Sequence, residues 1–145
     1  MLKGIDPLLS PELLMILRSM GHGDEIAIVD ANYPAATDAR RLVRMDGHQA
    51  TAVLAGILSL LPLDADRQAA FRPGIKGDPA FLEPIMQRFQ EIISQYEPQV
   101  RLEALMDEAF YSRVKSAFAI VASGERALYG NVILRKGVIK PEMPT

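Results

Sequence analysis

Residues 48–61 are apolar on nearly every side. A helix of that kind has to be covered twice, by a sheet on one side and by another element on the other. The rest of the chain supplies what such an arrangement needs. Short β-rich runs at residues 25–29, 42–45, 69–71, 100–105, 118–122 and 131–134 alternate with helical segments. Ser10-Pro11-Glu12 opens the first helix with a hydroxyl cap, a proline at the first helical position and an acid in the first turn. Leu13, Ile16, Leu17 and Met20 follow at helical spacing, and Gly21 stops it. Glu83-Pro84 opens a later helix whose apolar face is Ile85, Phe89, Ile92, Ile93 and Tyr96, with Pro98 at its end, and residues 107–116 form a shorter one. Tyr33-Pro34 reads as a turn. The alternation predicts an α/β fold: one domain over residues 1–145, a mixed sheet with helices on both faces.

With 49% apolar and 23% charged residues in 145, the chain can bury its own core, and disorder is excluded. A net charge of −2 gives no electrostatic case for nucleic acid or for an anionic membrane. Without cysteine there is no disulfide, thiol nucleophile or thiolate metal site, and two histidines rule out a multi-histidine metal site within one chain. The apolar run at 52–63 is too short to span a bilayer, and Pro7, Pro11 and Glu12 interrupt the N-terminal apolar residues before any signal-peptide cleavage site. A cytoplasmic location is expected.

Gly21-His22-Gly23, the one glycine cluster, lacks the spacing of a phosphate loop, and no Gly-x-Ser-x-Gly elbow occurs. What remains is a polar set at strand and loop ends: His22, Asp30, Asn32, Tyr33, Tyr129 and Asn131. Histidine has an unperturbed pKa near neutrality, so His22 is suited both to give and to take a proton. Asp30 and Asn131 suit sugar hydroxyls, since a carboxylate accepts two donors and an amide both donates and accepts. Plainer readings stand beside these. His22 can be a solvent-facing helix terminator, Asp30 a turn residue, and Asn131 a strand start of no consequence. Tyr96 and Tyr111 read as core or interface aromatics, and His48 as a solvated surface residue.

Two segments shift the balance. Gly21-His22-Gly23-Asp24-Glu25-Ile26, followed by Asp30-Ala31-Asn32-Tyr33-Pro34, resembles the signature of the L-fucose mutarotase and D-ribose pyranase family. Leu8-Leu9-Ser10-Pro11-Glu12-Leu13 resembles its fucose branch in particular. Residues 117–131, ending in Leu128-Tyr129-Gly130-Asn131, and then Arg135-Lys136-Gly137-Val138 are similar to the family's C-terminal block. The resemblance implies an α/β domain in a ring-based homo-oligomer, a pentamer or a decamer of two pentamers, with sites near subunit boundaries. It implies a mutarotase, an isomerase of free monosaccharides that works without metal or organic cofactor. It places the acid/base role on His22 and sugar binding on Asp30, Tyr129, Gly130 and Asn131. Where the fucose pattern reads Arg-Phe-Ala-Phe-Tyr, this chain has Asp107-Glu108-Ala109-Phe110-Tyr111, with an acid in place of a cation. Asp107 is therefore expected to alter substrate choice away from L-fucose. Two other functions compete: a non-catalytic sugar-binding accessory of a carbohydrate uptake system, and a ring scaffold without ligand.

His22 precedes the strand at 25–29 and Asp30 follows it, so an extended path holds them up to about 25 Å apart at ~3.3 Å per residue. Either the glycine-flanked loop folds back along the strand, or the two residues meet across a subunit boundary.

Overall fold

The computed structural model describes residues 1–142. Six strands form one sheet: β1 (Glu25–Val29), β2 (Leu42–Met45), β3 (Ala70–Gly74), β4 (Glu103–Met106), β5 (Ala119–Ser123) and β6 (Val132–Arg135), in the order β2-β5-β1-β6-β3-β4. Five helices connect them: α1 (Pro11–Ser19), α2 (Ala35–Asp38), α3 (Ala50–Leu58), α4 (Pro84–Tyr96) and α5 (Glu108–Ser116). Every adjacent pair is parallel except those made by β6, which runs antiparallel to β1 and to β3.

Strand side chains alternate between two apolar layers, as the pleat requires. Ile26, Ile28, Val43, Met45, Ala119, Val121, Val132 and Leu134 pack under α1, α3 and α4. Ala27, Val29, Ile120, Ala122 and Ile133 pack under α2 and α5, through Ala35, Phe110 and Val114. Helices thus cover both faces, the expected fold. The all-round apolar segment is α3, buried through Ala50, Val53, Leu54, Gly56, Ile57 and Leu58 between the sheet and α4. Ser10 caps α1 as anticipated, its hydroxyl accepting from the Leu13 N–H at 3.2 Å.

The structure departs from the sequence reading in three places. β3 extends through Pro73 to Gly74. Pro73 lies past the last β6 pair, at Phe71, so its missing N–H costs the ladder little. The strand expected at 100–105 begins only at Glu103, paired with Phe71. The turn at Tyr33-Pro34 continues into the four-residue α2, anchored by the buried Ala35. Among the described residues no helix is long and apolar enough to cross a membrane.

Candidate functional site

The antiparallel strand β6 furnishes both ends of the sheet with chemistry. Its register sets Val132 against Ile28 at one end and Arg135 against Glu25 at the other. Asn131, just before β6, therefore arrives beside Asp30, just after β1, and the Asp30 N–H donates to Asn131 Oδ1 at 2.8 Å. That bond fixes the amide, leaving the Asn131 NH2 as a donor for a ligand. Asp30 is only 7% exposed; its Oδ1 accepts from the Asn32 N–H at 2.9 Å, which leaves Oδ2 as an acceptor.

Around these two residues lies a cleft of about 520 Å³, a size suited to a small ligand. Tyr33, Asp38, Glu108, Tyr111, Lys115 and Tyr129 complete most of its wall. The Tyr33 and Tyr111 rings stack with centroids 6.3 Å apart, and the Tyr33 hydroxyl donates to Asp38 Oδ2 at 2.8 Å. Burial first, then the bond to Asp38, pushes the Tyr33 hydroxyl pKa well up. Tyr111 is also raised, by burial first and then by Tyr129, Asp30 and Glu108. Both phenols stay protonated. The cleft combines fixed donors, fixed acceptors and flat aromatic faces, which is what a polyhydroxylated ring requires.

Tyr129 holds a left-handed backbone (φ 58), uncommon for a bulky residue. The Asn131 N–H donates to the Tyr129 carbonyl at 2.8 Å, a tight reversal about Gly130. A Cβ at Gly130 would lie 2.9 Å from Glu125 Cγ and 3.1 Å from the Ala127 carbonyl, so Gly130 serves the site by having no side chain.

His22 lies at the other end of the sheet. β1 runs between it and Asp30, and the loop does not fold back: the Gly23 N–H donates to the Lys136 carbonyl at 2.8 Å, beyond the far end of β6. Its imidazole, 46% exposed, is not a free helix terminator. Nε2 stands 3.3 Å from Asp64 Oδ2, which also accepts from Arg135 Nε at 2.8 Å. Asp64 is 4% exposed. The Asp66 N–H donating to its Oδ1, then Arg135, outweigh burial and hold its carboxyl down at about 2, so it is ionised at neutral pH. Arg135 reaches on to Glu25 at 3.9 Å, and Glu25 pairs with Arg113 at 2.7 Å. His22, Asp64 and Asp66 have donor atoms within 4.8 Å of one another, a spacing open to a cation, but both Asp64 oxygens are already engaged.

Gly23 makes this loop possible. Its φ is +88, and a Cβ there would fall 2.9 Å from a guanidinium nitrogen of Arg135. Gly23→Ala is expected to destabilise the protein by about 1–2 kcal/mol and to displace Arg135 from Asp64, measured by denaturant unfolding.

Of the residues singled out in the sequence, Asp30, Tyr129 and Asn131 share the cleft, with Gly130 between the last two. His22 is not among its lining residues. Asp107 is exposed at the N-cap of α5, in an unusual conformation (φ 50, ψ −133), and also lies outside the cleft lining; Glu108, the next residue, lines it. Sequence reasoning missed Asp64; Tyr111, read as a core or interface aromatic, packs against the core beneath α5 and also forms cleft wall.

Comparison with known proteins fits this geometry. Residues 3–139 match the RbsD / FucU transport protein family. A fucose mutarotase from Danio rerio is 42% identical, over 97% of this chain and 96% of its own. An L-fucose mutarotase from Histophilus somni (strain 2336) is 39% identical, over 95% and 97%. The crystal structure of the fucose mutarotase in complex with L-fucose from Streptococcus pneumoniae superposes with a TM-score of 0.87 at 40% identity, covering 96% of this chain and all of that one. With the match running through both ends of the sheet, the chain belongs to the RbsD / FucU family.

Proposed function

We propose that the protein is a monosaccharide mutarotase, which opens and recloses the ring of a free reducing sugar to exchange its anomers. The observation that carries this reading is the full-length similarity to proteins named fucose mutarotase, which spans the cleft and the His22 edge together.

The reaction removes a proton from the anomeric hydroxyl and delivers one to the ring oxygen as the C1–O5 bond breaks. The carbonyl turns, and the ring recloses on its other face with the proton transfers reversed. These steps ask for one acid/base group and firm positioning, and nothing of a metal or an organic cofactor. In this reading His22 moves the protons. Its Nε2 faces Asp64, so Nδ1 is the nitrogen left for the sugar, and the ionised Asp64 orients the ring and steadies the imidazolium when it forms. Asp30, Asn131 and Tyr129 hold the hydroxyls.

The two halves of this site belong to different subunits. One end of the sheet carries the carboxylates Asp30, Asp38 and Glu108 with Lys115, while at the other Arg40, Arg41 and Arg135 stand beside Asp24 and Glu25. Unlike surfaces at opposite ends suit head-to-tail packing, which closes into a ring when the rotation allows. A homopentamer, or a decamer of two, brings His22 of one subunit over the cleft of the next.

Exchange NMR on a panel of reducing sugars tests the function. Anomer exchange faster than the spontaneous rate is expected for at least one sugar. Saturation transfer to a sugar without faster exchange would instead identify a sugar-binding accessory, and neither effect would leave a ring without ligand.

A further inference from the structure

The proposed proton transfers leave the α5 wall of the cleft without a role. α5 presents Glu108, Tyr111 and Lys115 to the cleft, at positions i, i+3 and i+7 of one helical face. At 1.5 Å per residue, the carboxylate and the ammonium are anchored about 10 Å apart, with the aromatic ring between them. Resting on the mutarotase reading, we propose that Glu108 sets the sugar preference, selecting a sugar that offers a hydroxymethyl group to this wall over one that offers a methyl or an anionic group.

Among the described residues, Glu108 has neither a salt-bridge partner nor a side-chain hydrogen bond. Its neighbours across the cleft are also acceptors. Asp30, more than nine-tenths buried, keeps Oδ2 for a ligand, and Asp38 has one oxygen on the Tyr33 hydroxyl and the other unspent. Three carboxylates and one ammonium leave the cleft negative, and Lys115 is anchored two helical turns from Glu108. Tyr111 lies in the same surroundings, its ionisation opposed first by burial and then by Tyr129, Asp30 and Glu108.

A surplus of acceptors is satisfied by ligand donors. A hydroxymethyl group donates to Glu108. A methyl in the same place strips water from a carboxylate and returns no hydrogen bond, which is the arrangement that discriminates most strongly against an analogue lacking a hydroxyl. A phosphate or carboxylate substituent meets like charge. Asp107, the neighbouring acid, lies outside the cleft lining and makes none of these contacts.

L-Galactose and L-fucose differ only in a hydroxymethyl against a methyl at the sixth carbon, so their ratio isolates the effect. The wild type is expected to exchange L-galactose at least about fivefold faster in kcat/KM than L-fucose. Glu108→Leu should bring that ratio to one or below, and Glu108→Gln, which still hydrogen-bonds, should keep its direction. Should the leucine variant fold poorly by thermal melt, Glu108→Ala makes the same comparison at an exposed helix start. A wild type that prefers L-fucose, or a ratio unmoved in Glu108→Leu or Glu108→Ala, overturns the proposal. Saturation-transfer binding separates it from the catalytic reading. Preferential binding of L-galactose without exchange of any sugar sinks the mutarotase and leaves Glu108 standing. Binding of neither sugar overturns the role of Glu108, whatever else the protein exchanges.

Discussion

Replacing His22 with alanine is expected to slow anomer exchange at least about a hundredfold, the lower range for losing a general acid/base. The fold should survive, because the imidazole sits half exposed on a loop that is held by backbone bonds at Gly23 and Asp24. Sugar binding measured by saturation transfer should fall little, since the hydroxyl-reading groups lie in the cleft at the other edge. Asp64→Asn separates the partner from the base. Asparagine keeps the volume, and its single oxygen still accepts from the Asp66 N–H, but it gives up the acceptor that Arg135 Nε and His22 Nε2 share and lacks the charge that steadies an imidazolium. A fall in kcat of about tenfold or more, with KM kept within about twofold, is expected of a residue that acts only through His22. Exchange that continues at the wild-type rate in His22→Ala would remove the histidine from the mechanism. Equal changes in kcat and KM for Asp64→Asn would reduce Asp64 to a structural role.

Asp64 shows where reading a sequence ran out. His22 stood out because two glycines and a helix stop surround it, all of them local signals. Nothing local marks Asp64, which lies in a stretch of irregular backbone between α3 and β3. It meets His22 because β6 runs antiparallel to β1 and carries Arg135 to that edge, and the Arg135–Asp64 bond joins residues 71 apart in sequence. Tyr111 was legible only in part, for a related reason. Its helix reads as amphipathic, with Phe110 and Val114 fully buried, but the neighbouring tyrosine lies at the edge of that face and lines the cleft. By contrast, α1, α3, α4 and the alternation of strands were legible, since caps, prolines and apolar periodicity act within a few residues. Asp30 and Asn131 were legible separately. The bond between them depends on register across 101 residues.

That same register makes a second large effect testable. β1 holds His22 and Asp30 at opposite ends of a strand, so within one chain they cannot both touch one monosaccharide. If the working site joins His22 of one subunit to the cleft of the next, two inactive variants should repair each other. His22→Ala keeps an intact cleft, and Asp30→Ala keeps an intact histidine. Each alone is expected to lose at least about a hundredfold in exchange rate, the first by losing its base and the second by losing a buried sugar acceptor. In rings reassembled from an equal mixture, a boundary that joins the histidine of one variant to the cleft of the other is wild type. Random order around a head-to-tail ring places about a quarter of the boundaries in that state, so about a quarter of wild-type activity should return. The mixture must be unfolded and refolded together, since subunits that do not exchange stay in rings of one kind; two tags of different mass, read by native mass spectrometry, report the mixing. Recovery that rises with mixed rings fixes the site at the boundary. Verified mixed rings whose activity stays at the sum of the two variants would end the shared-site proposal.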